Sequence, residues 1–270
     1  MRADGPIGLF DSGVGGLTVV SRVVQALPHE SILYFGDTAH LPYGMRPLDE
    51  VRAYALRIGR YLVAQGAKAV VVACNTSTAA ALEAMQADLP VPVLGTVDCG
   101  VRAALKVARN GCVGVLATQA TVLAGAYPRA FERAGARMEV VEQPCPEFVT
   151  LVEAGVTRGS EALSAAERYC TAVRARAIDT VVLGCTHYPY LAGVIRQVIG
   201  PDVSLVDPAE ELARSLAHRL DECGLRRPDG DPPTHRYLVS GDPSAFAESA
   251  RRLLCRDIAV EKVDIFDAED

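Results

Sequence analysis

Two cysteines in matching surroundings are the residues of this 270-residue chain best placed by type and spacing to do chemistry. Cys74 closes the run Val70-Val71-Val72-Ala73 and precedes Asn75-Thr76. Cys185 closes Val181-Val182-Leu183-Gly184 and precedes Thr186-His187, 111 residues later. A short, continuous, β-branched run reads as a strand covered on both faces of a parallel sheet. Each thiol then stands at a strand's carboxyl end, where open α/β sheets bind ligands, and at the start of a following helix, whose dipole favours thiolate over thiol. A thiol on each side of a tetrahedral carbon supplies one base and one acid, which is what inversion by proton removal and return requires. Nucleophilic catalysis asks for one activated Cys beside a His and leaves the second redundant.

Competing uses of the thiols fit less well. A metal site wants Cys-x-x-Cys or clustered His, and no two cysteines stand that close. A disulfide is out of place in a chain of this composition. Cys99, Cys112, Cys145, Cys170, Cys223 and Cys255 read as small buried apolar residues. With 50% hydrophobic and 22% charged residues the chain can bury one large core or two smaller ones. A net charge of −6 and the lack of a basic cluster argue against nucleic acid as a partner. No signal-like segment and no apolar run long enough to span a membrane is seen, so a cytoplasmic protein with reduced thiols is expected.

The elements that must hold these residues follow an alternating pattern. Residues 6–10 form a strand, and Asp11-Ser12-Gly13-Val14-Gly15-Gly16 leads into a helix that runs to residue 27. Gly-x-Gly-x-x-Gly would need a small residue where Thr18 stands, and a Walker loop would need Gly-Lys-Ser/Thr, so neither nucleotide motif is present. Asp11 is either a turn or capping residue or part of a site, and its place at a strand end favours the site. Residues 31–36 form a second strand, followed by the long loop Asp37-Thr38-Ala39-His40-Leu41-Pro42-Tyr43-Gly44, a length that usually serves a site. A helix from Pro47 presents Val51, Tyr54, Ala55, Ile58, Tyr61 and Leu62 on one face and stops at Gly66. Further strands are expected at 91–95, 112–117, 138–141, 180–184, 203–206, 237–240 and around 260–265.

Internal similarity runs through this pattern. Residues 7–12 resemble residues 113–118 at an offset of 106, close to the cysteine offset of 111, as a duplication with one cysteine per half would produce. The fold class is therefore α/β, expected as two similar, open, mostly parallel-sheet lobes; if they face each other across a cleft, a small ligand between them has a thiol on each face. The first lobe takes residues 1–97 and, returning, 207–270, and carries Cys74. The second takes 98–206 and carries Cys185.

Taken together, Asp11 to Thr18, Gly36-Asp37-Thr38 with Pro42-Tyr43-Gly44, Ala73 to Thr76, Ala117 to Val122, Gly184 to Pro189 and Val239-Ser240-Gly241-Asp242 resemble the bacterial glutamate racemases of the aspartate/glutamate racemase family. The resemblance implies two α/β lobes in pseudo-twofold relation with the active site in the cleft between them, and cofactor-independent interconversion of L- and D-glutamate, the D-isomer supplying peptidoglycan synthesis. Cys74 and Cys185 become the two acid/base thiols. Asp11, Ser12, Tyr43, Gly44, Asn75, Thr76, Thr186 and His187 become the substrate-binding set, with Thr118, Thr121 and Glu153 in support. No metal and no cofactor is implied; a homodimer is expected, and a contact with DNA gyrase is known for some members. His40-Leu41 and Ser77-Thr78 depart from the family pattern. Racemisation of aspartate or another amino acid shares the two-thiol logic, and a gyrase-binding protein would not need both thiols.

Overall fold

Apolar, β-branched runs give the strands, and each strand but the last is followed by at least one helix. The computed structural model describes residues 2–174, 176, 178–228 and 230–266. Residues 1, 229 and 267–270 of the range assigned to the first lobe, and 175 and 177 of the second's, lie outside it. The chain runs β1 (Ile7–Asp11), α1 (Leu17–Ala26), β2 (Ile32–Gly36), α2 (Leu48–Ala64), β3 (Ala69–Val72), α3 (Asn75–Asp88), β4 (Val93–Gly95) and α4 (Thr96–Leu105). It continues β5 (Cys112–Ala117), α5 (Gln119–Leu123), α6 (Ala126–Arg133), β6 (Glu139–Pro144), α7 (Pro146–Glu153), α8 (Ser160–Arg174), β7 (Thr180–Gly184), α9 (Ala192–Ile199) and β8 (Ser204–Val206). Then come α10 (Pro208–Glu222), β9 (His235–Val239), α11 (Pro243–Leu254) and β10 (Val260–Lys262).

The strands form two sheets, both parallel: β10-β9-β2-β1-β3-β4 and β6-β5-β7-β8. The order β2-β1-β3-β4 is repeated as β6-β5-β7-β8, so the doubled sequence signal at 7–12 and 113–118 is a doubled topology. In each sheet the chain winds one way from the first strand and the other way from the third. The crevice at that reversal is where open α/β sheets bind ligands. It lies between β1 and β3 in one sheet, after which come Asp11 and Cys74. In the other it lies between β5 and β7, after which come Thr118 and Cys185.

Each sheet is covered on both faces. Leu9, Tyr34, Val71, Leu212 and Leu216 pack on one side of the first sheet, and Phe10, Phe35, Val72, Ile58 and Leu62 on the other. Leu116, Val181, Phe148 and Ile195 pack on one side of the second, and Val115, Val182, Tyr127 and Phe131 on the other. Helix α4 carries Cys99 into the core of the first sheet and Val97, Val101 and Ala104 into the core of the second. The position 97/98, the expected lobe boundary, falls in the first turn of this helix.

Three expectations are corrected. Strand β4 begins at Val93 rather than 91, since Pro92 has no N–H to give the ladder and contributes its carbonyl to the Val70 N–H. The last strand stops at Lys262. Cys223 and Cys255 are exposed, not buried: they cap the carboxyl ends of α10 and α11, where the helices run out into polar segments.

Candidate active site

The two strand-end cysteines open onto one cavity. Its walls comprise Ser12 after β1, Pro42, Tyr43 and Gly44 from the loop after β2, Cys74, Asn75 and Thr76 after β3, Thr118 after β5, Val149 of α7, and Cys185, Thr186 and His187 after β7. The space left between these walls amounts to about 10 Å³. That is room for a single water. The walls are closed on each other and must part for a small amino acid to enter.

Sequence reasoning named nine of the twelve wall residues as acid/base or substrate-binding and Thr118 as a supporting residue. It missed Pro42 as an individual residue and Val149. The proline stood inside a quoted motif, but Val149 sits on an ordinary amphipathic helix turn and carried no signal. Asp11 is brought close but is not a wall residue. It lies fully buried behind Thr186, accepting hydrogen bonds from the N–H groups of Gly13 (3.2 Å) and Gly16 (2.9 Å) and from the Thr186 hydroxyl (3.2 Å). Burial raises its pKa, and His187 and these donors oppose the rise.

The thiols have unlike surroundings. Cys74 is the residue before the first turn of α3 and is 6% exposed. Burial, and after it the charge of Asp11, push its thiol up to about 12, against the pull of Ser77. The helix-dipole expectation of a thiolate is thus outweighed at Cys74 by desolvation. Cys185 has no α-helix directly after it. Pro189 removes an N–H and disfavours α-helix at Tyr188, and a short 3₁₀ turn (Tyr188–Leu191) comes before α9. What stands beside Cys185 is His187, with Nδ1 3.7 Å from the sulfur and Nε2 2.7 Å from Glu153 Oε1. Burial alone would lower the His187 pKa, but Cys185 and Glu153 together raise it well above the ordinary value. A protonated imidazole there is a counter-ion for negative charge on the sulfur.

Around the thiols, polar side chains are held rigidly. The hydroxyls of Thr76, Thr118 and Thr121 form a buried triangle with sides of 2.9, 2.9 and 3.3 Å that joins the two lobes. Asn75 Oδ1 accepts from the Tyr127 hydroxyl at 2.8 Å, which fixes its amide NH₂ in direction. Tyr43 donates to Asp37, which also accepts from Ser240 (2.6 Å) and meets His40 Nδ1 at 2.8 Å. His40 in turn stacks on Tyr54 and touches Phe266 edge-on. The departing residue His40 therefore braces the loop that carries Tyr43. Among the described residues no cluster of three or more His, Cys, Asp or Glu is arranged to hold a metal. The lysines lie elsewhere: Lys68 is paired with Glu30 at 2.5 Å and Lys106 with Glu211 at 2.6 Å.

The sequence profile of the Asp/Glu/hydantoin racemase family matches residues 7–216. A glutamate racemase from a Parafrankia species is 48% identical over 259 residues, 96% of this chain and 94% of that protein. The crystal structure of glutamate racemase from Thermus thermophilus, in complex with β-chloro-D-alanine, superposes with a TM-score of 0.89 at 44% identity, covering 98% of each chain. That of Francisella tularensis, in complex with D-glutamate, gives 0.91 at 32% identity, covering 98% of this chain and 100% of the other.

Proposed function

This chain belongs to the Asp/Glu/hydantoin racemase family, and from that premise we propose that Cys74 and Cys185 are the acid and the base with which it interconverts L- and D-glutamate. The observation that carries the proposal is that two thiols, from equivalent strands of two equivalently wound sheets, line one narrow cavity. Cα of a glutamate held between them has its proton toward one sulfur. That thiolate takes the proton, the electron pair is left on the carbon next to the carboxylate, and the opposite thiol delivers its own proton to the other face. The product leaves with the protonation states of the two sulfurs exchanged.

The unlike surroundings supply the starting asymmetry. Cys74, buried and beside the charge of Asp11, is held as the protonated acid, while beside Cys185 stands His187, whose pKa Cys185 and Glu153 raise against its burial. By the family resemblance Cys185 with His187 serves the L-isomer and Cys74 the D-isomer. Ser12, Tyr43, Gly44, Asn75, Thr76 and Thr186 hold the substrate, Asp11 acting from behind Thr186, with Thr118 and Thr121 beside a carboxylate. Hydroxyls and amide N–H groups bind carboxylates without a fixed cation that would compete for the thiolate. The lobes are assigned as 1–97 with 207–270 and 98–206. The reading extends to a homodimer in the cytoplasm that supplies D-glutamate for peptidoglycan, with gyrase binding a separate property.

The test is D-glutamate formation from L-glutamate by enzyme dialysed against chelator and hydroxylamine, with nothing added back. Full activity is expected, because pyridoxal phosphate chemistry needs a site lysine and Lys68 and Lys106 are engaged elsewhere. Activity lost on dialysis and restored by pyridoxal phosphate would overturn the two-thiol mechanism. Turnover of aspartate but not glutamate would overturn the substrate.

A further inference from the structure

Ser77 is a buried hydroxyl that the resting protein leaves without a partner. It is 0% exposed, it occupies the third position of α3, and its Oγ makes no hydrogen bond to any protein atom. Its neighbour shows how unusual that is. The Thr78 hydroxyl, equally buried, donates to the Cys74 carbonyl at 2.9 Å and lies 3.2 Å from the Thr96 hydroxyl. Leaving a buried hydroxyl unsatisfied is costly, so a native protein that does so generally has a use for it.

The local geometry identifies the use. Cys74 stands at the N-cap of α3 and Ser77 is the third residue of that helix, whose N–H is the group an N-cap side chain meets. Both the N–H and the hydroxyl of Ser77 lie beside the Cys74 sulfur. A neutral thiol is a weak acceptor and leaves the hydroxyl unsatisfied; a thiolate is a strong one.

We propose that Ser77 is a positioning residue for the reaction, its buried hydroxyl becoming a hydrogen-bond donor to Cys74 only when that sulfur carries the negative charge. The donor is idle in the resting state and engaged once Cys74 has given up its proton, so it acts on the charge-separated states rather than on folding. It also offsets the two influences, burial and Asp11, that oppose charge at that sulfur. Cys185 has His187 for the same task, and the two halves of the site thus stabilise thiolate by different chemistry.

The proposal rests on Cys74 being an acid/base thiol, and the test separates the two claims. In a Cys185→Ser background, loss of chloride from 3-chloroglutamate needs only Cys74: the α-proton goes to the sulfur, chloride leaves Cβ, and water releases 2-oxoglutarate and ammonium. Failure to eliminate from either enantiomer would overturn the role of Cys74 and the proposal with it. Given elimination, adding Ser77→Ala is expected to move the acid limb of kcat/KM up by about one pH unit, with a rate about tenfold lower at each pH below it. In a Cys74→Ser background, where Cys185 alone works on the other enantiomer, Ser77→Ala is expected to leave the limb in place. The melting temperature of Ser77→Ala should not fall, since no resting hydrogen bond is lost. A limb unmoved in the first background, a limb moved equally in both, or a lowered melting temperature with an unmoved limb would each overturn the proposal.

Discussion

The chemistry of single residues leads to sharp expectations. Replacing either thiol, by Cys74→Ser or Cys185→Ser, should lower racemisation in both directions by about 10²–10⁴-fold, because every turnover needs one proton removed and another delivered. Coupled measurement of D-glutamate and L-glutamate formation checks this; a variant that keeps near-normal turnover in either direction would refute it. Glu153→Gln tests the second base–counter-ion pair. His187 is raised above its ordinary value of 6.5 by Cys185 and Glu153, against its burial. The sign follows: a raised histidine stabilises the fold fully below its unfolded-state pKa, and that contribution is lost as pH rises through the folded-state value. Unfolding free energy of the wild type, from urea titrations, should therefore fall as the pH is taken above 6.5. The Glu153→Gln variant should show a shallower fall and slow elimination from the enantiomer facing Cys185 more than from the other.

At the level of elements, the turn after β1 meets the loop after β7 with no space to spare. A Cβ built on Gly15 would come 2.5 Å from both His187 Nδ1 and Thr186 Oγ1, closer than side chains ever approach. Gly15→Ala must therefore push the β7 loop, and with it Cys185, away from the opposing thiol. A displacement near 1 Å costs on the order of 10²-fold in rate. The expected result is a loss of that size in kcat/KM with circular dichroism unchanged; an active Gly15→Ala enzyme would show that this contact does not set the thiol positions. The same logic applies where Gly44 meets Thr118, whose Cβ would lie 2.7 Å from an added methyl. In both places glycine is present because another lobe's side chain occupies the room that a Cβ would need.

For the whole molecule, burial sorts the eight thiols into classes. Cys223 and Cys255 are exposed and the other six are buried, including both site cysteines at 6% and 7%. A thiol reagent such as dithionitrobenzoate should label two sulfurs promptly and the site cysteines only as the cavity opens. D-glutamate at saturating concentration should slow the labelling of Cys74 and Cys185 without changing the first two. Prompt labelling of Cys74 in free enzyme, followed by peptide mapping, would show that the open arrangement dominates in solution. The closing of the cavity around a space for about one water makes this opening a required step of turnover rather than an accessory motion.

Much of this was legible in the chain itself. Strands covered on both faces must be apolar throughout, so the runs before Cys74 and Cys185 declared their type and place, and the 106-residue offset declared the repeated topology. The motifs around Asp11, Tyr43, Cys74 and Cys185 declared which strand ends carry polar groups. Periodicity alone left open how the two halves meet, because it describes each element's own faces and not what faces them across a cleft. Only the tertiary structure brought Val149 into the wall, set Asp11 behind Thr186, and sealed the cavity. The protonation of Cys74 was also a tertiary matter. A helix start favours thiolate wherever it occurs, but whether that influence prevails depends on desolvation and on charges from distant parts of the chain. At Cys74, burial and Asp11 overrule it; beside Cys185 only a short 3₁₀ turn follows, and His187, paired with Glu153 of another helix, stands next to the sulfur.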